Sequence, residues 1–312
     1  KITLSGQLYA PENTGFFNSA DYYRSMNVFL LIKSVRTSGY EIKEHNFYRT
    51  LDDFRHNVSD TIRKYVPSEE GELLIGMLFG SSKWNMSDRT ENLLYRAGIG
   101  HVAAVSGLHM SVAAGIAAAL AIALRLPKWG QFISVTAVSL LFAMTAGFTP
   151  SVVRSLIMVT FVWAAGIFNR RSDSLTSLAA AIIIMTISSP FIVRSTSFLL
   201  SVSGTIGTAV LSPMFINAYE KKMERKTDLP YHVGALSSAL CSSLCAAAAV
   251  FPVSALTFDQ ISIASPLTNL LLSPLCTAAI AIAAIGALLC ILPFTFISGG
   301  LFLAAGLICR PI

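Results

Sequence analysis

Residues 98–124 read GIGHVAAVSGLHMSVAAGIAAALAIAL, and this stretch contains no Asp, Glu, Lys or Arg. A helix rises about 1.5 Å per residue, so roughly 20 apolar residues cross the ~30 Å hydrocarbon core of a bilayer. The stretch is long enough and apolar enough to do so. Similar stretches recur along the rest of the chain. We therefore expect a membrane protein built from transmembrane helices.

Charged residues are scarce and unevenly distributed. The chain has 312 residues, of which 54% are hydrophobic and 13% are charged, whereas about 25% of the residues of a typical soluble protein are charged. Residues 1–97 hold 24 of the 40 charged side chains (23 basic plus 17 acidic). The sequence thus predicts a segment of soluble composition followed by a polytopic, mostly α-helical transmembrane region over 98–312.

The lengths of the apolar runs predict about seven or eight spans in this region. Pro266 and Pro274 interrupt one long run, and proline removes an internal hydrogen bond from a helix. That run is either one kinked span or a short broken helix followed by a full one. The predicted spans lie near 98–124, 131–147, 151–168, 175–190, 196–216 and 235–257, and the apolar runs 262–293 and 299–309 follow them.

The first 97 residues divide into two parts. Residues 1–45 contain short apolar runs separated by Pro11, Asn13 and Gly15, a pattern typical of strands and turns. Residues 46–97 read as a helical, interfacial linker, with apolar side chains at helical spacing at Leu51, Phe54, Val58, Ile62 and Val66. Leu73–Phe79 is too short to span a bilayer, so we expect it at the membrane interface or against the helices.

The basic residues in short loops predict the orientation in the membrane. If the spans alternate, eight of these residues fall on one side, whereas the opposite short loops hold one, Arg194. Basic residues are enriched in cytoplasmic loops, so residues 1–97 are predicted to be extracytoplasmic in a multi-pass inner-membrane protein. The eight residues are Arg125, Lys128, Arg170, Arg171, Lys221, Lys222, Arg225 and Lys226.

The sequence lacks the residues that ion-coupled carriers, nucleotide-binding proteins and metal sites usually need. The predicted spans contain no Asp or Glu, although proton-driven pumps and many ion-coupled carriers place carboxylates inside the membrane. A phosphate-binding loop with the pattern Gly-x-x-x-x-Gly-Lys-Ser/Thr is also absent. The five cysteines lie in apolar runs without metal-ligand spacing. We expect no cofactor, no metal site and an energy source supplied by another protein.

One cluster of polar residues lies within the first predicted span. His101, Ser106 and His109 share a broad face of a helix drawn through 98–124. A polar face in an apolar segment is typical of a helix that lines a cavity or contacts a neighbouring helix. We predict that these residues, with Gly107 at a close helix contact, line a path through the membrane.

Arg154 is the second polar feature within a predicted span. It lies four residues after Pro150, near the outer end of its helix. One interpretation is that its side chain snorkels to the lipid headgroups. The other is that it presents a fixed positive charge to a path for anions, supported by Thr149, Ser151 and Ser155. The sequence leaves both interpretations open.

Four ordered stretches of this sequence resemble the signature of the ComEC competence family, a family of bacterial inner-membrane channels for transforming DNA. The first joins Leu78–Gly80 to AGIGHVAAVSGLHM at 97–110. The others are GFTPSVVR at 147–154, the run from Arg170 to Pro190, and FLLS at 198–201. The resemblance covers residues 70–275. Ser81 and Val202 depart from the family pattern, as does the turn at 13–18.

This resemblance carries functional expectations. It implies that residues 1–45 form the end of an extracytoplasmic OB-fold-like domain, in which Tyr22, Tyr23, Arg24 and Phe29 contact single-stranded DNA. It further implies a channel for single-stranded transforming DNA that works with an extracytoplasmic DNA receptor, a cytoplasmic ATP-driven motor, membrane lipid and further copies of itself. Many members carry a metallo-β-lactamase-like nuclease after the helices. This chain has no His-x-His-x-Asp-His cluster, so we read it as a non-enzymatic part of a longer protein.

Two alternatives remain from the residues themselves. A carrier for another anionic polymer or lipid would also use a basic path, since such a path need not be specific for DNA. An intramembrane serine protease would use Ser106 as its nucleophile. That chemistry needs a serine and a histidine that meet from different helices beside oxyanion donors, and Ser106 and His109 are only one helical turn apart.

The predicted orientation can be tested by labelling. Single cysteines in place of Ser19 and Lys222, in a background without the five native cysteines, should react differently with a membrane-impermeant thiol reagent. We expect position 19 to react on intact cells, after any outer membrane has been permeabilised, and position 222 to react only after lysis. Reaction at position 222 but not at position 19 would mean that the topology is inverted.

Overall fold

The computed structural model describes residues 2–11, 23–24, 28–40, 47–80, 87, 94, 105–227, 234–258, 265–290 and 295–310. In this part of the chain the structure is mostly helical, with one pair of strands near its start. Most of the helices are apolar, as the composition requires. The predicted fold class, mostly α with several apolar helices, is confirmed at this level.

The elements are labelled here in chain order. The strands are β1 (Ile2–Tyr9) and β2 (Leu31–Tyr40). The helices are α1 (Phe47–Tyr65), α2 (Glu69–Phe79), α3 (Gly107–Ala123), α4 (Lys128–Ala146), α5 (Pro150–Ile167), α6 (Ser174–Ser188), α7 (Thr196–Ile206), α8 (Ser212–Thr227), α9 (Ala235–Phe258), α10 (Ser265–Leu289) and α11 (Thr295–Cys309). A 3₁₀ turn covers Pro190–Arg194, and a π-helical turn covers Gly207–Leu211.

The apolar helices fall into two length classes. In the described part of the chain, five are long and apolar enough to cross a membrane: Lys128–Ala146, Pro150–Ile167, Thr196–Glu224, Ser237–Leu256 and Leu267–Leu289. The helices α3, α6 and α11 are apolar but have only 17, 15 and 15 residues. The predicted total of seven or eight spans stays a prediction.

Two of the predicted spans differ from the observed helices. The helix predicted across 98–124 is not continuous, since Val105 and Ser106 are non-helical and α3 starts at Gly107. Residues 98–104 of this predicted span lie outside the described residues. The shared helical face predicted for Ser106 and His109 is therefore wrong, because Ser106 precedes the helix. The run at 262–293 forms one continuous helix over its described part, α10, with Pro274 inside it. Of the two interpretations of this run, the structure has the uninterrupted helix.

The strands form a single antiparallel pair. Leu8 lies opposite Ile32, and Tyr9 lies opposite Leu31, with irregularities in register further along the pair. A two-stranded sheet has one of the features expected for the end of an OB-fold domain. The OB fold itself stays a prediction, because the described residues contain these two strands and no others.

The helical linker packs into the membrane-spanning part of the chain. The helix α2 is apolar from Leu73 to its end, and its buried side chains join α1, α10 and α11 in one core. Arg63 of α1 fixes the turn between α1 and α2, because its Nε donates a 2.7 Å hydrogen bond to Glu72. Leu73–Phe79 thus lies against the helices, the second of the two places predicted for it.

Arg55 joins α1 to the end of α4. Its guanidinium donates to the carbonyl oxygens of Met144, at 2.7 Å, and of Thr145, and it is paired with Asp52 at 2.6 Å. The last four carbonyl groups of a helix lack partners within the helix, and the helix dipole makes that end negative. The buried Arg55 side chain therefore caps α4, just before the turn at Gly147 that leads into α5.

A continuous helical rod runs from Thr196 to Thr227 through α7, the π-helical turn and α8. At the start of the π-helical turn, Gly207 lies directly against the backbone of α9. A Cβ atom placed on Gly207 would be 2.6 Å from the carbonyl oxygen of Cys245 and 2.8 Å from Cα of Ala246. The contact between this rod and α9 thus requires glycine at position 207.

Replacing Gly207 should therefore destabilise the bundle. Backbone atoms cannot move aside as a flexible side chain can, so we expect Gly207→Ala to cost about 1–3 kcal/mol, as overpacked cores do. The measurement is the unfolding temperature of the detergent-solubilised protein. Gly204→Ala is the matched control one turn earlier, because its Cβ would make an ordinary 3.5 Å contact with Val250. Equal unfolding temperatures for the two variants would contradict the close packing.

Candidate functional site

Ser106 and His109 cap the start of α3. The backbone N–H of Ser106 donates to Nδ1 of His109 over 3.1 Å, and the hydroxyl of Ser106 lies 3.1 Å from the same nitrogen. This is the reciprocal arrangement of a capping box, with histidine in the place usually taken by Glu or Gln. Because His109 is 1% exposed, the cap lies inside the protein and fixes where α3 begins.

The cap also bears on the protease alternative. Nδ1 of His109 accepts the backbone proton of Ser106, so the ring nitrogen next to the serine hydroxyl is already engaged. A serine nucleophile needs a base that is available to take its proton. The geometry favours a structural role for this pair.

The first residue of α3 lies against α5. A Cβ atom on Gly107 would be 3.0 Å from Oγ of Ser155 and 3.2 Å from Nη2 of Arg154. The N-terminal end of α3 and the guanidinium of Arg154 are therefore neighbours. Both are electropositive. The guanidinium carries a full positive charge, and the free N–H groups at the start of a helix carry a partial one.

Arg154 is buried between helices. Its side chain is 7% exposed and donates to Oγ1 of Thr205 on α7 and, over 3.3 Å, to Oγ of Ser155. Its Nη1 also lies 3.5 Å from the sulfur of Met158, while Nε has no hydrogen-bond partner in the described structure. The snorkelling interpretation is therefore wrong, because the guanidinium points to α7 and not to the headgroups.

The polar side chains around Arg154 connect α5 to α7. Oγ of Ser151 lies 3.2 Å from Oγ of Ser201, and the hydroxyl of Thr205 donates to the carbonyl of Ser201 over 2.8 Å. We call Ser151, Arg154, Ser155, Ser201 and Thr205 the polar seam. Every neutral member is a hydroxyl, and among the described residues no carboxylate pairs with Arg154. The charge of the seam is thus uncompensated.

The polar seam is positively charged and contains no acidic residue, so it is suited to binding an anion. No Asp or Glu occurs between residues 98 and 172, so the sequence around the seam supplies no competing negative charge. Arginine binds phosphate oxygens well through charge-assisted hydrogen bonds, and hydroxyl groups and helix N-termini donate to them too. In the observed conformation, however, Arg154 is enclosed, so an anion reaches it only if α5 and α7 separate.

The structure brings some of the predicted site residues together. Gly107, Arg154 and Ser155 are in contact, Ser151 lies one turn before Ser155 on α5, and Ser106 is the cap residue next to Gly107. Thr149 is the N-cap residue of α5, and its buried hydroxyl makes no hydrogen bond in the described structure. His101 lies outside the described residues, so its predicted role is untested.

The sequence reasoning missed Thr205 as a partner of Arg154 and Ser201 as a partner of Ser151. The two are four residues apart on one face of α7, a helix that also contains Thr196, Ser197 and Ser203. That spacing was a usable signal, because polar residues on one face of a membrane helix usually meet a polar neighbour. The spacing does not reveal which side chains they contact, since those side chains belong to another helix, α5.

The outer-segment residues proposed for DNA contact are described in part. Tyr22 lies outside the described residues. Tyr23 is half-buried and Arg24 is exposed. Phe29 is exposed, and its ring packs edge-to-face against Phe191 with 6.2 Å between centroids. This contact places Phe29 beside the membrane helices.

The long apolar helices and the uncompensated charge between them define a class: a polytopic helical membrane protein with a buried, acid-free polar seam. The chain belongs to the Competence protein family, whose model matches residues 77–312. The predicted family resemblance is thereby confirmed. Membership supports a role in competence DNA uptake.

A curated relative agrees with this assignment. ComE operon protein 3 of Bacillus subtilis (strain 168) is 24% identical over 277 residues, which cover 88% of this chain and 34% of the relative. The chain thus spans about a third of the length of this relative. No solved structure matches significantly.

The role of Ser106 and His109 can be tested by conservative replacement. Gln is the usual capping-box partner, so we expect His109→Gln to keep transformation and His109→Leu to lose it. Ser106→Thr should keep the cap, whereas Ser106→Ala should cost roughly 1 kcal/mol of stability. The measurements are transformation efficiency and the unfolding temperature of the purified protein. Covalent labelling of Ser106 by a fluorophosphonate would instead show a nucleophile.

Proposed function

We propose that this protein forms part of a channel that conducts single-stranded DNA across the bacterial cytoplasmic membrane during natural competence. The observation that carries the proposal is the buried Arg154 in an acid-free seam, in a chain of the Competence protein family. A polyanion crossing a membrane needs a path without negative charge and with donors for its phosphates.

The seam suits transient phosphate binding. Arg154 and the neighbouring hydroxyls are held by hydrogen bonds that phosphate oxygens can replace one for one. Conduction requires contacts weak enough to be released again, and one arginine with two hydroxyls meets that requirement better than a cluster of arginines would. Movement of α7 away from α5 would expose the seam to the strand.

The described contacts agree with the proposed orientation. Arg55 and Phe29 of the N-terminal segment contact the end of α4 and the 190–194 turn, both on the side predicted to be extracytoplasmic. On the opposite side, Lys128 donates to Asn169, so two of the basic loops lie together. In this proposal an extracytoplasmic receptor delivers the DNA, and a cytoplasmic ATP-driven motor pulls it. The chain itself performs no catalysis, and assembly into a homo-oligomer belongs to the same proposal.

A carrier of another anionic polymer or lipid is the second candidate. It is favoured by the same observation, since arginine recognises the phosphate and not the base or sugar attached to it. The two candidates differ in cargo. Both cargoes are therefore measured on the same variants. Transformation with single-stranded DNA reports on the channel, and uptake of labelled anionic lipid reports on the carrier.

The decisive variants change the charge of Arg154. We expect Arg154→Lys to keep much of the transformation efficiency, Arg154→Gln to lose at least ten-fold, and Arg154→Glu to lose it almost completely, because a carboxylate repels phosphate. Uptake of fluorescent DNA into the cytoplasm is measured alongside transformation. Membrane abundance of each variant is measured by immunoblot, so that loss of folding is distinguished from loss of conduction.

Arg49→Gln is the matched control, since Arg49 is an exposed arginine on α1, outside the polar seam. It should transform like the unmodified protein. If Arg154→Gln also transforms normally at normal abundance, Arg154 does not contact the strand. If Arg154→Gln loses lipid uptake and keeps DNA uptake, the carrier alternative replaces the channel.

A further inference from the structure

One end of the strand pair carries a group of large apolar side chains that the protein leaves exposed. Their exposed fractions range from 38% to 65%. Single exposed apolar residues are normal, whereas a contiguous group marks an interaction surface. We call this group the ribbon tip, and its members are Leu8, Tyr9, Phe29, Leu30 and Ile32.

The strand register brings the members of the ribbon tip together. Leu8 lies directly opposite Ile32, and Phe29 and Leu30 immediately precede β2. Cross-strand partners have Cβ atoms about 5 Å apart. The exposed apolar groups thus surround the end of the ribbon, with Leu8 and Ile32 on one face and Tyr9 on the other.

A ring contact places this surface at the edge of the membrane helices. Phe29 packs against Phe191, with ring planes at 78°. Phe191 belongs to the 3₁₀ turn that joins α6 to α7, and the neighbouring Ile192 is buried against Met185 and Phe198. The turn is therefore firmly attached to the bundle, at the level where two apolar helices end.

The exposed apolar surface continues from the ribbon tip onto the helices. Phe191 and Val193 on the turn are about as exposed as Tyr9, and Ile187 on the last turn of α6 is 77% exposed. On a membrane-spanning helix, an exposed apolar surface faces lipid. The ribbon tip is thus continuous with the lipid-facing surface of the bundle.

Basic and aromatic residues accompany the ribbon tip. Lys33 and Arg24 are exposed beside it, and Arg194 ends the 3₁₀ turn. Tyr, Trp, Lys and Arg are enriched where proteins cross the bilayer interface, because their apolar parts face the acyl chains and their polar ends face the headgroups. Their positive charge complements the phosphates of the headgroups.

We propose that the ribbon tip inserts into the lipid headgroup region of the leaflet on the side of the 190–194 turn, and so anchors the N-terminal segment to the membrane. The partner is an anionic phospholipid surface. In this arrangement Phe29 lies at the boundary between headgroups and acyl chains, whereas the family resemblance implied that it contacts single-stranded DNA. The inference needs no assumption about what the channel conducts.

Depth-dependent fluorescence quenching tests the insertion. Phe29→Trp is made in the full chain with the three native tryptophans, Trp84, Trp129 and Trp163, replaced by Phe, so that position 29 carries the single indole. The protein is placed in nanodiscs of phosphatidylglycerol and phosphatidylethanolamine, with or without lipids brominated near the headgroup. We expect bromolipid to quench the indole emission of the Phe29→Trp variant at least two-fold, and aqueous iodide to quench it little.

Phe47→Trp in the same background is the matched control. Phe47 is 52% exposed and Phe29 is 54% exposed, and Phe47 lies at the start of α1 outside the ribbon tip. The indole of the Phe47→Trp variant should respond to iodide and not to bromolipid. Equal bromolipid quenching at both positions, or none at position 29, would overturn the proposal.

Two further measurements on the Phe29→Trp variant identify the partner. Adding Leu8→Asn and Leu30→Asn should reduce the bromolipid quenching, since these changes remove apolar surface from the tip and leave position 29 as it was. Added single-stranded oligonucleotide should leave the indole emission unaltered. Quenching by the oligonucleotide together with insensitivity to bromolipid would show that the tip binds DNA instead. Neither result depends on whether Arg154 contacts a conducted strand.

Discussion

The contact between Gly107 and Arg154 is the constraint on which the arrangement of the bundle depends. A permanently charged side chain lies in an apolar bundle and donates to hydroxyl groups instead of a carboxylate. Charge without a counter-ion is costly in such surroundings. The free-energy cost of burying this charge is tolerated only where neighbouring elements offer hydroxyl dipoles to the guanidinium. The helices α5 and α7 supply these hydroxyls, and they and the start of α3 must therefore meet at this point.

The same constraint explains why the start of α3 is so specific. Ser106 and His109 cap the helix that begins at Gly107, where the absence of a side chain leaves space for the guanidinium. A side chain at position 107 would approach Nη2 of Arg154 to 3.2 Å at its Cβ atom. The cap, the glycine and the arginine therefore act as one unit, although they come from two separate stretches of sequence.

The apolar runs were sufficient to predict most helices, because each long run must satisfy its own backbone hydrogen bonds inside a membrane. They could not locate the start of α3, since Gly, Ala and Val before Ser106 are as apolar as those after it. Arg154 was recognised as unusual from its charge alone. Its burial against Thr205 depends on how α5 packs on α7, and no local pattern records that packing. The family resemblance implied a DNA contact for Phe29, and its packing against Phe191, more than 150 positions away, could not be read from the sequence.

The helical rod from Thr196 to Thr227 is longer than the hydrocarbon core of a bilayer is thick. Its 32 residues (196 through 227) extend about 48 Å at 1.5 Å per residue, against a hydrocarbon core of about 30 Å. A tilt of more than about 50° would be needed to contain it, and membrane helices tilt by about 20° on average. The last turns, which carry Lys221 and Lys222, therefore extend past the hydrocarbon core to the level of the lipid headgroups, where the two ammonium groups can meet phosphate.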